Sequence, residues 1–360
     1  MNFKKILIFT LGFLISFSGF SQEAKDRNQE NINVNKFRQL YQEFSTPNMY
    51  RTASGAPGPA YYQQQADYKM DIELDDENKK IYGSETITYT NNSPDNLEYL
   101  WVQLDQNVRK KDSPSLLIDG SGVRPAYAPS GFTKEFLTDP FDGGFNIEYV
   151  VDENNKPLKY IVNQTMMRVD LPSVLKSGEK FSFSIKWWYN IQDHVNQDGR
   201  SGYETFDKDG NRVYIIAQFF PRMAVYNEVE GWQNYQFWGD GEFALPFGNY
   251  DVKITVPSDH ILDATGELQN RKNVFSKDMI KRFNKAKKTY DKPVMIVTQA
   301  EAEEAEKGFS KKKKTWHFQA ENVRDFAFAT SRKFIWDMMA VKIGDKDVMA
   351  VSMYPKEGNP

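Results

Sequence analysis

From Tyr68 the chain reads with a period of two: Tyr68, Met70, Ile72 and Leu74 alternate with polar residues, Asp75 to Asn78 supply turn formers, and Ile81, Gly83, Glu85, Ile87 and Tyr89 resume the alternation. This pattern predicts a β-hairpin. Residues 97–104 add an apolar strand, and Gly83 inside the second arm suggests a bulge. Strand patterns return at 145–151, 158–162, 166–171, 180–191, 213–219 and 249–256, with Asn154-Asn155 and Ser177-Gly178 as turns. Two segments read as helices, a basic one at 277–290 and an acidic one at 299–307. The expected fold is mainly β, an antiparallel sandwich or saddle over residues 61–330. Beyond it, 331–340 has helix-compatible spacing, and 347–354 reads as a single apolar strand with nothing after it to pair with.

The flanks differ in character. Lys4 and Lys5 precede an apolar run from Ile6 to Phe20, and Gly19 and Ser21 then sit where a signal peptidase would read them, so residues 1–21 are expected to be a signal peptide. The run is too short for a comfortable membrane span. Residues 22–60 are a polar lead-in arm, in which Ser54-Gly-Ala-Pro-Gly-Pro59 cannot hold a regular element. Residues 114–144, rich in Gly, Pro, Ser and Asp, predict a long surface loop.

The chain has 360 residues, 40% of them hydrophobic and 14% aromatic, enough for one large core or two moderate ones. It has no Cys, so neither a disulfide nor a lipid-anchoring cysteine is available and stability rests on the core. A net charge of −3 and a pI near 5.8 give no long-range attraction to nucleic acid. The basic block Lys311 to Lys314 reads as a solvated loop. The expectation is a periplasmic or secreted protein without stable membrane insertion.

Candidate chemistry is sparse. His194, His260 and His317 lie far apart in sequence, and no His-Glu-x-x-His occurs, the pattern whose two imidazoles one turn apart would hold zinc. Without Cys or a Gly-x-Ser-x-Gly elbow, no activated nucleophile stands out. Asp75-Asp76-Glu77 sits in a hairpin turn, where acids cap backbone amides. The sequence Asp207-Lys-Asp-Gly-Asn211 has its Gly one position early for a calcium loop and lacks the closing Glu, so it reads as a β-turn. The segment Tyr214-Ile-Ile-Ala-Gln-Phe-Phe-Pro-Arg-Met-Ala-Val-Tyr226 is the more informative one: it places a Gln, an Arg and several aromatics where a strand ends at a proline.

Several stretches, in order, resemble aminopeptidase N-like (gluzincin) zinc metallopeptidases of the Bacteroidetes type. They are Gly55-Ala-Pro-Gly-Pro-Ala-Tyr-Tyr-Gln-Gln64, Leu171-Pro with Leu175-Lys-Ser-Gly-Glu179, Arg200-Ser-Gly-Tyr-Glu204, Ala217 to Tyr226, Phe247 to Pro257, Ala264-Thr-Gly266 and Val323 to Ala329. The stretch Thr315 to Thr330 looks like the strand with which those enzymes leave their N-terminal β-domain. The resemblance implies an N-terminal β-domain that covers a thermolysin-like α/β zinc domain, of which residues 331–360 would be the linker and first strand. It implies zinc and peptide substrates in the full-length protein, with no catalytic or metal residue in this chain. It further implies that Gln218 lines the pocket for the substrate's amino end. Asn227 stands where related sequences carry an acidic residue. The alternative is a non-catalytic exported β-sandwich that binds peptide or glycan through Trp187, Trp188, Trp232 and Trp238.

Overall fold

The structure is a computed structural model that describes residues 47–115, 126–133, 137, 141–197, 199, 201–239 and 244–358. The expected signal peptide and the first part of the lead-in arm lie outside the described residues, as does much of the 114–144 loop. The chain divides into two compact units, up to Tyr61 and from Tyr62 onward. In the first, the Asn48 side chain accepts from the amides of Tyr50 and Arg51 at 2.8 and 2.9 Å, and Arg51 bridges to Pro57 across a turn in which Gly55 takes φ +82°. The prolines and glycines there make turns, as their backbone limits require.

The second unit is built on a seven-stranded sheet. Its strands are, in spatial order, β15 (Glu267–Leu268), β17 (Lys313–Val323), β13 (Gly248–Pro257), β1 (Gln65–Asp75), β2 (Lys80–Thr90), β7 (Lys180–Asn190) and β4 (Asn146–Asp152). The predicted hairpin is β1 and β2, in unbroken register from Gln65 opposite Thr90 to Asp75 opposite Lys80. One pairing departs from the antiparallel expectation: β1 and β13 run parallel, Tyr68 beside Tyr250 through Glu73 beside Thr255. More than 170 residues separate them, ample for the crossover that a parallel pair needs.

A four-stranded sheet holds β10 (Arg222–Met223), β3 (Leu97–Gln103), β6 (Met166–Leu175) and β5 (Tyr160–Asn163). Another holds β14 (Ile261–Ala264), β18 (Phe328–Ser331), β9 (Arg212–Ile216) and β8 (Gly202–Thr205), and β11 (Tyr226–Asn227) with β12 (Gly231–Trp232) forms a small hairpin. Both predicted helices are present. Helix α1 (Lys277–Ala286) starts where Ser276 Oγ accepts from the Met279 amide, and α2 (Gln299–Glu306) opens with a capping box between Thr298 and Glu301.

The region after Thr330 differs from its reading in sequence. Residues 335–343 are not helical but form β19 (Ile335–Ile343), between β16 (Val294–Val297) and β20 (Lys346–Tyr354). The strand expected to lack a partner is β20, and it pairs with β19 along all nine residues. Ile335, Trp336, Met338 and Ala340 are all buried. Burial alternates from Trp336 to Val341, but the half-buried face also carries the apolar Met339 and Val341, so polarity does not alternate and the run satisfies helical spacing equally well. The preceding Lys333 is fully buried, its ammonium 2.5 Å from Asp209, 3.0 Å from Glu306 and 3.0 Å from Glu357. This cluster explains the Asp207 to Asn211 turn, whose carboxylate serves a lysine. The basic block is less loop-like than expected: Lys313 and Lys314 begin β17, and Lys311 pairs with Glu77 at 2.7 Å.

Gly83 lies in regular pairing, opposite Ile72 on one side and Trp187 on the other, so it marks no bulge. The glycine makes room for a ring: a Cβ there would come within 2.3 Å of the Trp187 indole. That indole is fully buried, and its Nε1 donates to the Phe219 carbonyl at 3.2 Å. Gly83→Ala is therefore expected to destabilise the fold by about 1–3 kcal/mol through overpacking. Chemical denaturation measures it, and Trp187→Leu in the same chain should make the added methyl nearly neutral.

Candidate functional site

The segment that joins β9 to β10 is held residue by residue. The Ala217 amide donates to Ser201 Oγ at 3.0 Å, the Gln218 carbonyl accepts from Gln106 Nε2 at 2.9 Å, and the Phe219 carbonyl accepts from the Trp187 indole. Phe219 meets Phe220 and Phe328 edge-on, with centroids 5.0 and 5.3 Å apart, while Phe220 meets Tyr68 at 5.4 Å. The Met223 amide donates to the Tyr68 hydroxyl at 2.9 Å.

Amid these anchors Gln218 takes φ +53°, a left-handed conformation that costs a non-glycine residue free energy and persists only where its surroundings impose it. Its side chain is half-buried and makes no hydrogen bond among the described residues. The amide is thus a donor and acceptor on a rigid, strained support, suited to a polar group brought to it.

Four residues along the chain from it is Arg222, 1% exposed. Its Nε and Nη2 reach Asp105 Oδ2 at 3.1 and 2.7 Å, and Nη1 reaches Asp325 Oδ2 at 2.6 Å. Asp105 is fully buried and leaves Oδ1 without a partner. Burial alone would lower the guanidinium pKa, but the two carboxylates outweigh it and hold the pKa above its ordinary value.

Glu85 is another buried charge-bearing group. It sits on β2 between Met70 and Ile185, facing the core, with neither carboxyl oxygen partnered. Burial pushes its pKa well above the ordinary carboxylate value, so it is held as the neutral acid.

The other sequence candidates lie elsewhere. His194 is exposed at the start of a helical turn, and His317 Nε2 lies 2.8 Å from Asp251 on β13. His260 is buried with Nδ1 3.2 Å from Thr330 Oγ1; burial, then Arg332, lowers its pKa to about 3, so it is neutral. Among the described residues no group of three or more His, Cys, Asp or Glu could hold a metal ion. In the Asp75-Asp76-Glu77 turn, Asp75 accepts from the Asn78 amide, while Asp76 accepts from the Tyr214 hydroxyl at 2.7 Å and pairs with Arg332 at 2.8 Å. Asn227 Oδ1 accepts from the amides of Val229 and Glu230, both at 3.0 Å, closing the β11–β12 turn. Of the four tryptophans proposed as a binding surface, Trp187 is excluded by full burial, and the other three are half-buried. Sequence reading missed Ser201, Gln106, Asp105 and Glu85, and only the glutamate carried a signal, a charge at an inward position of the alternation.

No protein-family profile matches the chain, and no curated protein matches it. Among solved structures it is similar to an M1 zinc metallopeptidase from Deinococcus radiodurans, at 12% identity over 83% of this chain and 49% of that one, TM-score 0.42. A mutant of that enzyme bound to a Tyr-Ser-Ala substrate matches at 11% identity over 81% and 48%, TM-score 0.42. A two-domain M1 zinc metallopeptidase mutant bound to L-tryptophan matches at 11% over 85% and 51%, TM-score 0.43. The chain spans about half the length of these structures. At such identity and superposition the likeness carries no functional weight. Among the described residues no helix is long and apolar enough to cross a membrane.

Two outcomes follow from the buried charges. Arg222→Met strands Asp105 without its cation, so a loss of about 3–5 kcal/mol is expected in urea denaturation, largely recovered by adding Asp105→Leu. For Glu85 the folded pKa lies above the unfolded one, so the folded state binds the extra proton and stability falls as pH rises between the two values. Glu85→Gln should therefore gain stability relative to the parent as pH is raised from about 5 to 8, by up to about 1.4 kcal/mol per pH unit. A difference that stays flat across that range would remove Glu85 as the source.

Proposed function

We propose that this chain is the substrate-proximal β-region of an exported aminopeptidase-type peptidase, and that Gln218 receives the free amino terminus of a peptide. The observation that carries the reading is Gln218 itself: a half-buried amide without a hydrogen-bond partner among the described residues, in a left-handed conformation, inside the Ala217 to Tyr226 segment that resembles the zinc aminopeptidases. A substrate ammonium has only donors, so the side-chain carbonyl of Gln218 would accept from it. The clamps on both neighbouring peptide groups fix where that acceptor stands, which limits the entropy lost on binding.

The described residues supply no donor set that fits zinc, so no catalytic step is assigned to them. Bond cleavage in this reading belongs to a zinc-bearing catalytic part joined to this region, with residues 331–360 leading into it. The two roles separate cleanly: this chain orients the amino end, and the other part cleaves.

In the protein that includes the catalytic part, Gln218→Ala is expected to lower kcat/KM by roughly ten- to a hundredfold, as losing a hydrogen bond to a charged group of about 1.5–3 kcal/mol implies. Folding stability should change little. An N-acetylated peptide, which has no ammonium to lose, should bind parent and variant alike. Full activity in the variant, or activity lost in step with stability, would reduce Gln218 to a packed strand end.

A further inference from the structure

We propose that the outer face of the seven-stranded sheet carries a binding groove for a neutral oligosaccharide, a site separate from Gln218. The groove encloses about 470 Å3 and runs across β17, β13, β1 and β2, and its lining includes Asp67, Lys69, Thr86, Asp251 and Gln319. That volume falls in the range of small-molecule sites. Register sets the array: Gln319, Asp251, Lys69, Thr86 and Ser184 stand side by side on five adjacent strands. Neighbouring strands lie about 4.8 Å apart, so the row offers polar groups at regular intervals across the sheet.

These groups are oriented before any ligand arrives. Asp251 is engaged by Gln319 Nε2 at 2.9 Å and His317 Nε2 at 2.8 Å, and Asp67 accepts from Gln65 Nε2 and from the Asn249 amide, both at 2.9 Å. Hydroxyl pairs continue the face, Thr86 with Ser184 at 2.9 Å and Thr88 with Ser182 at 2.8 Å. Asp67 and Asp251 are already partnered, and with Glu321 they set three acids against Lys69, so the groove disfavours an anionic ligand. Ala320, Tyr68 and Tyr250 also line it. The row itself presents carboxylate, amide and hydroxyl groups with spare lone pairs and donors, and a ligand of alternating hydroxyls satisfies both kinds.

Along the same strands the face ends in two rings. Tyr82, 37% exposed, pairs across the sheet with Trp188, their centroids 6.5 Å apart and the Lys80 ammonium 4.3 Å from the indole. Aromatic faces pack against the C–H side of a sugar ring, so this pair would hold the next residues of a chain seated in the groove.

The test is a two-dimensional 15N–1H titration of the chain with cellohexaose, laminarihexaose and chitohexaose in turn. At least one should give saturable shifts at the amides of Lys69, Thr86, Asp251 and Gln319, with a Kd below about 1 mM. Thr86→Ala and Gln319→Ala alter exposed side chains; each should weaken binding by about tenfold or more without moving the Tm, and Trp188→Ala should abolish the preference for the hexasaccharide over its trisaccharide. Gln218→Ala should leave sugar binding unchanged, which keeps this site distinct from the peptide reading. Absence of saturable shifts with all three sugars, shifts confined to another surface, or variants that bind like the parent would overturn the proposal.

Discussion

A guanidinium buried in a β-protein is tolerable only if carboxylates come to it, and that requirement organises this domain. Arg222 is on the short strand β10, Asp105 follows β3, and Asp325 lies between β17 and β18, so the cation draws three separate parts of the chain to one point. Asp105 has no exposure and one oxygen without a partner, and Arg222 is the cation whose direct contact offsets its burial. The strained Gln218 lies four residues upstream, and its carbonyl is bound by Gln106, the immediate neighbour of Asp105. Rigidity at the ion pair and strain at the glutamine are therefore one construction.

The large sheet treats its two faces in opposite ways. Inward, Val252, Met70, Glu85 and Ile185 share a row, and the missing side chain at Gly83 lets an indole lie flat and reach a carbonyl in the Gln218 segment. Outward, hydroxyl and carboxylate groups pair with one another across strands. Alternation along each strand assigns every residue to one of these environments, so the same strands can back the Gln218 segment on one side and a polar groove on the other.

Legibility in the sequence followed that alternation. The β1–β2 hairpin could be read because its odd and even positions differ in polarity, and both helices because runs of charged, helix-favouring residues mark them. On β19, where apolar residues occupy both the buried and the half-buried face, the signal disappears, and residues 331–340 resembled a helix. Gly83 was located but misjudged, because the ring that needs its space lies about a hundred residues away in sequence. Gln218 stood out from its aromatic and proline neighbours, whereas its positive φ and its clamps, Ser201 and Gln106, depend on contacts that no local window contains. The buried Glu85 broke the inward pattern in plain view.

The parallel pairing of β1 with β13 also constrains how the protein comes to be folded. During synthesis β1 and β2 can zip together early, since only a tight turn separates them. The other edge of β1 stays open until β13, more than 170 residues later, has left the ribosome. Until then a row of free backbone groups beside an apolar inner face is available to any other extended chain. Closure of that edge is a late, non-local event of the kind that makes folding slow.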